Sequence, residues 1–172
     1  TYGKIVRKDL GGYKENFFGG GRHGPSGMHR PGKKEQKDPI LLVDGYNIIF
    51  AWDELKEIAT DNLGAARDKL LDILCNYSAF TKSETIVVFD AYKVSGNNGQ
   101  RFNYNNIHVV YTKEAETADQ YIEKFAHENA KKYRVTVATS DGLEQIIIRG
   151  AGCLLLSARD LEHEIREKNQ QL

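Results

Sequence analysis

Four short motifs place carboxylates where side-chain chemistry is easiest to build. They are Asp44 in LLVDGYN, Asp90 in IVVFDAY, Glu116 with Asp119 in EAETAD, and Asp141 in VATSDG. Each ends an apolar run or opens a helical pattern. In an open α/β sheet the C-terminal strand ends lie along one edge, so these acids are expected to converge there. Crowded carboxylates repel unless something positive lies between them. A hard divalent cation with oxygen ligands answers that need, and Mg²⁺ is typically held by a few carboxylates plus substrate phosphate. The chemistry this points to is metal-assisted phosphodiester cleavage. One or two Mg²⁺ or Mn²⁺ ions would activate a water and stabilise the leaving oxygen.

Taken singly, each acid has a bland reading. Asp141 can be a helix N-cap, Asp44 before Gly45 a turn residue, and Glu116 and Asp119 a solvated first helical turn. Taken together, three strands ending at or just before an Asp argue for a shared site. Asp44 is expected to be the central ligand, with Asp119 and Asp141 completing the inner set. Glu116 and Asp119 stand three apart, which on a helix puts them on one face. Glu116 and Asp90 are assigned to metal-bound waters or a second ion. Asn47 would orient a water or phosphate oxygen, and Thr139 and Ser140 would hydrogen-bond the carboxylates.

The elements that must position these residues alternate regularly from residue 40 onward. Apolar runs predict strands at 40–43, 85–89, 108–111, 135–138 and 153–156. Helices are predicted at 52–59, from Asp61 or Asn62 onward, after Thr117, after Asp141, and after the Ser157-x-x-Asp160 capping pattern. The helix after Asp141 carries Leu143, Ile146 and Ile147. Strands alternating with helices predict a three-layer, Rossmann-like α/β domain with a mostly parallel sheet of about five strands.

Residues 92–106 read as a long polar loop. Tyr92, Lys93, Arg101, Phe102 and Tyr104 there suit single-stranded RNA, although a polar loop whose aromatics pack down fits equally. Tyr46 and Trp52 can stack a base or belong to the core.

Composition narrows the classes. Residues 1–38 hold nine of the 16 glycines, and nine Lys/Arg against four acids. They read as a flexible basic tail preceding a domain at 39–172. The remaining residues carry a net charge of −5. A basic arm on an acidic body fits polyanion contact, RNA or the ribosome; plain solubility is the alternative. No apolar run approaches the roughly 20 residues that span a bilayer, and the start has no secretory h-region. Cys75 and Cys153 read as buried reduced thiols, and the compartment expected is the cytoplasm. The chain lacks an initiator Met and reads as a fragment of something longer. His23, His29, His108, His127 and His163 show no metal-type spacing. No P-loop, dinucleotide fingerprint or nucleophile elbow is present.

The run VDGYNIIFAW, followed by VVFDAYKV, EAETADQYIEK and VATSDGLEQ, resembles the NYN branch of the PIN-like nucleases, and most of all its YacP-like ribonuclease group. The resemblance covers about residues 40–168. It implies a PIN-like fold and metal-dependent endoribonuclease activity on RNA, with the ribosome as a partner in that group. It also implies Asp44, Asp90, Glu116, Asp119 and Asp141 as metal ligands. The opening TYGKIVRKDL with its Gly/Pro-rich continuation is similar to the end of translation GTPases related to tetracycline-resistance ribosomal protection factors. That implies fusion to an upstream GTPase that delivers a nuclease to the ribosome.

Two other classes compete. A catalytically weak RNA- or ribosome-binding module would share the fold, but a binder gains nothing from five carboxylates facing a polyanion. A phosphohydrolase of haloacid-dehalogenase type needs an acid two residues after Asp44, where Tyr46 stands. A phospho-receiver wants an acidic pair at the first strand end, where Asp44 is alone.

Overall fold

Three apolar runs, each buried on both faces as parallel strands must be, make the centre of the sheet. They are β1 (Pro39–Asp44), β2 (Glu84–Phe89) and β4 (Ile107–Tyr111). The computed structural model describes residues 36–93 and 99–170. Residues 1–35 of the basic tail, with His23, His29 and Gly19–Gly24, lie outside the described residues. So do positions 94–98 of the polar loop and the side chain of Lys93.

The remaining strands are β3 (Arg101–Tyr104), β5 (Arg134–Ala138) and β6 (Leu154–Leu156). The sheet order is β3-β4-β2-β1-β5-β6, and every pairing is parallel except β3 with β4. The order reverses between β1 and β5, the switch point where ligands bind in such sheets. Among the described residues six α-helices flank it: α1 (Gly45–Ala51), α2 (Asp53–Asp61), α3 (Leu63–Thr81), α4 (Ala118–Asn129), α5 (Gly142–Gly150) and α6 (Ala158–Gln170). Helices α1, α2, α3 and α6 pack together over one face, and α4 and α5 pack together on the other. The main core lies under the first group, around Leu70, Leu74, Val87, Phe89, Val109 and Leu161. No helix among the described residues is long and apolar enough to cross a membrane. Cys75 and Cys153 are free and buried.

The expected three-layer domain is therefore present, with two differences. Helix α1 begins directly after Asp44, where only a turn was expected. A sixth strand, β3, lies inside the supposed loop 92–106. It forms a hairpin with β4 across Asn105, which has φ +50°. Asn tolerates that left-handed conformation because its short side chain bonds locally.

The local signals explain most boundaries. Asn62 Oδ1 accepts from Ala65 N at 3.0 Å and starts α3. Thr117 and Gln120 form a reciprocal capping box at α4. Ser157 Oγ accepts from Asp160 N at 3.1 Å at the start of α6.

His108 on β4 is structural. It is 4% exposed, and its Nδ1 lies 2.9 Å from Asn103 Oδ1. Burial lowers its pKa to about 3. The Glu84 carboxylate at 3.4 Å opposes that shift, but it is itself partly wet and held above its usual range by burial and by Asp38. Desolvation of the ring prevails. The unfolded chain takes up this proton near pH 6.5 and the folded one does not until about pH 3, so stability falls as pH drops through that window. Thermal melts at pH 7 and pH 5 should show wild type losing about 2 kcal/mol to this group, a loss absent in His108→Gln. Equal losses in both proteins would mean that the imidazole charges freely in the fold.

Candidate active site

The site starts from a glycine. A Cβ at Gly45 would collide with the ring of Phe89 at the end of β2. Only glycine lets α1 turn so sharply off β1. Asp44 then occupies the N-cap position of α1 yet makes no side-chain cap bond. Its carboxylate is left over the sheet edge, 5% exposed.

Asp119 comes from the first turn of α4. That turn is hung from β2, because Asp90 Oδ1 accepts from Ala118 N at 2.7 Å. Asp141 caps α5, accepting from Leu143 N at 3.0 Å and Glu144 N at 3.2 Å. This fixes the rotation of α5 in an unexpected way. Leu143 and Ile146 are each 70% exposed, while Glu144 is only 3% exposed. The helix turns its acid inward and two of its apolar side chains out.

Asp44, Asp119 and Glu144 each offer an oxygen, all within 4.8 Å of one another. Thr139 lies among them, its Oγ1 2.9 Å from Glu144 Oε2 and 3.4 Å from Asp44 Oδ2, while it accepts from Asp141 N at 3.2 Å. Burial pushes the Asp44 carboxyl above its ordinary range, and Asp119 and Asp90 add to that. Burial also raises Asp119, with Asp141 and Asp90 contributing. Glu144 rises furthest, through burial first and then the charges of Asp44 and Asp119. Without a cation the cluster keeps a proton on Glu144 to limit repulsion. That proton is shared as a hydrogen bond between Glu144 and the Asp44 and Asp119 carboxylates. A cation between the three would take its place, and an all-oxygen set suits Mg²⁺ or Mn²⁺.

Asp44 and Asp119 of the cluster also line a cavity of about 460 Å³, together with Asn47, Phe50, Asp90 and Asp141, and with Tyr46 and Ala51. Four of the five expected acids therefore meet. Glu116 does not join them. It precedes the Thr117 cap, in a turn where its N–H donates to Lys113 O at 3.0 Å, so the helical spacing rule does not reach it. One of its carboxylate oxygens is buried without a partner, away from the cavity.

The supporting residues divide. Thr139 bonds the carboxylates as expected. Ser140 does not: its Oγ accepts from Ala158 N at 3.0 Å, and its own N–H donates to Asn47 Oδ1 at 2.7 Å. Asn47 thus braces the floor while facing the cavity. Tyr46 is 2% exposed, packed on Phe89 at 5.0 Å, with its hydroxyl accepting from Arg67 at 3.1 Å. It has no open face for a base and is a correction to the expected stacking role. Trp52 is core, donating to Ala158 O at 2.7 Å. Arg101 is half-buried on β3 and does not line the cavity.

Glu144 was missed. Its signal was present in VATSDGLEQ as an acid three residues after the capping Asp141, but the apolar pattern around it pointed the helix the other way.

A three-layer sheet with carboxylates at its switch point defines a nuclease-type, PIN-like fold. The chain belongs to the YacP-like NYN domain family, whose match spans residues 41–172. YacP of Bacillus subtilis (strain 168) is 45% identical over 127 residues, covering 73% of this chain and 74% of YacP. The crystal structure of Rae1 (YacP) from Bacillus subtilis matches with a TM-score of 0.67 and 42% identity, covering 77% of this chain and 76% of that one. The crystal structure of a mutant of the same Rae1 matches with a TM-score of 0.68 and 40% identity, covering 77% and 78%. The family match begins at residue 41, so these matches give no support to the GTPase fusion implied by the first ten residues.

Proposed function

We propose that this protein is a divalent-metal-dependent endoribonuclease that hydrolyses RNA phosphodiester bonds, acting in the cytoplasm on RNA at the ribosome. The observation that carries the reading is the meeting of Asp44, Asp119 and Glu144 within 4.8 Å beside a cavity that Asp90 and Asp141 also line. One or two Mg²⁺ or Mn²⁺ ions would be held by these three, with Asp90 and Asp141 reaching through water, and would supply an activated water and neutralise the leaving oxygen.

The chain's own groups do the rest. Thr139 fixes the orientation of the Glu144 and Asp44 carboxylates. Asp90 and Asp141 hold the two helix starts in place while keeping an oxygen toward the cavity. Asn47 keeps the turn after β5 at hydrogen-bond distance. Lys93 and Arg101 are assigned to the backbone of the RNA leading away from the cavity. Action at the ribosome rests on the basic segment 1–38 and on the YacP-like group.

The test is direct. Purified protein is incubated with single-stranded RNA and Mn²⁺ or Mg²⁺, with and without ribosomes, and with a chelator. Expected are internal cuts that vanish with the chelator and increase with ribosomes. Cuts indifferent to the chelator would refute the metal requirement. RNA bound but never cut in any condition would favour the binding-module reading.

A further inference from the structure

Arg67 lies one turn into α3, half-buried, and its guanidinium reaches back to the sheet edge where the acids stand. Its Nη1 donates to the Tyr46 hydroxyl at 3.1 Å, and a second hydrogen bond goes to Tyr111. Tyr111 ends β4 beside Phe89, one residue before Asp90. Burial pushes both phenols above their ordinary range and Arg67 opposes that shift, so the hydroxyls stay neutral. Among the described residues no carboxylate lies within ion-pair distance of this guanidinium. Its charge is thus held in place by neutral acceptors and left uncompensated. A guanidinium carries five donors, more than two hydroxyls use. Gly64 flanks it, where a Cβ would come within 3.4 Å of Nη2. The Tyr46 hydroxyl also feels the Asp90 carboxylate, and both residues line the acidic cavity. Arg67 is therefore a fixed cation at the margin of a site whose own groups repel phosphate.

We propose that Arg67 grips an RNA phosphate flanking the one that is cut, so that the strand crosses the sheet edge over β2 and β4. The inference rests on the nuclease reading and narrows it. A planar guanidinium forks onto two phosphate oxygens, and the two tyrosines hold the fork in one orientation. Such a grip reads the backbone alone and carries no sequence preference. Two other basic positions lie along the same course: Lys93 ends the short turn after Asp90, and Arg101 stands opposite Val110 on β3.

The test reads charge separately from fold. Binding of a labelled single-stranded RNA oligonucleotide to the full chain is followed by anisotropy across a KCl series, with Ca²⁺ in place of the active metal. Arg67→Gln should weaken binding about 10-fold, as for loss of one charge-assisted hydrogen bond. It should also lower the steepness of log K against log salt by about 0.7, the counterion release of one single-strand phosphate. Arg67→Met should match it, and decides the matter if the Gln protein does not fold. Arg67→Lys should keep the slope. A single neutral methylphosphonate linkage is then moved along the strand. At one position next to the cut it should weaken wild type and leave Arg67→Gln unaffected. A merely structural role would weaken binding with the slope unchanged, and that result overturns the inference. So would equal sensitivity of both proteins at every linkage. If wild type neither binds nor cuts any RNA, the nuclease reading falls and takes this inference with it. If wild type cuts RNA and Arg67→Gln keeps both affinity and slope, only the grip is lost.

Discussion

Asp44→Asn abolishes cleavage and leaves the fold standing. The expected drop is about 1,000-fold or more, because a carboxylate ligand and its share of several kcal/mol of charge stabilisation are lost together. Volume is unchanged. Asp44 makes no helix-cap bond, so the substitution removes charge without removing an element start. It also removes a buried charge and relieves repulsion from Asp119 and Asp90, so the metal-free protein should melt no lower than wild type. Cleavage rates on a single RNA, paired with melting curves in chelator, check both halves. Retained cleavage would remove Asp44 from its central place. A clear fall in metal-free melting temperature would contradict the crowded-acid description.

Glu144→Gln is the second large effect, at a position the sequence did not single out. Gln keeps the shape and can still accept from Thr139, but it cannot carry the charge a cation needs. Metal-free wild type should be the less stable protein, and Mn²⁺ should raise its melting temperature by linkage to the folded state. In Glu144→Gln the metal-free melting temperature should rise by several degrees, and the Mn²⁺-induced gain should shrink or vanish. Cleavage should fall about 10- to 100-fold, as for loss of a supporting ligand. If Mn²⁺ stabilises the variant as much as wild type, Glu144 is a protonated core residue and holds no ion.

The architecture was legible because apolar runs ending in Asp mark parallel strands and their shared edge. Asp44, Asp90 and Asp141 follow from that logic and Asp119 from the helix opening after Thr117, and all four line one cavity. Glu144 did not follow, because periodicity reports which face of a helix is apolar and not which face is buried. At α5 the cap bonds of Asp141 fix a rotation that exposes Leu143 and Ile146. Glu116 was misplaced because two acids three apart share a face only when both are helical, and the helix starts after it. Tyr46 proved to be core because a short helix leaving a strand has its inward side set by the turn at Gly45, which depends on the distant Phe89. β3 was hidden by its length and partial burial, although Asn105-Asn106 between short apolar stretches is a hairpin signal.

One backbone unit at the start of α6 gathers the floor of the site. The N–H of Ala158 is held by Ser140, and its carbonyl by Trp52. Ser140 is in turn held by Asn47. Synthesis runs from the N-terminus, so every carboxylate of the site exists once residue 144 has been added. The clasp that joins α1, the turn after β5 and α6 waits for residue 158. A nascent chain thus carries all its acids before it carries the brace beneath them, and the site is joined only once residue 158 has been added.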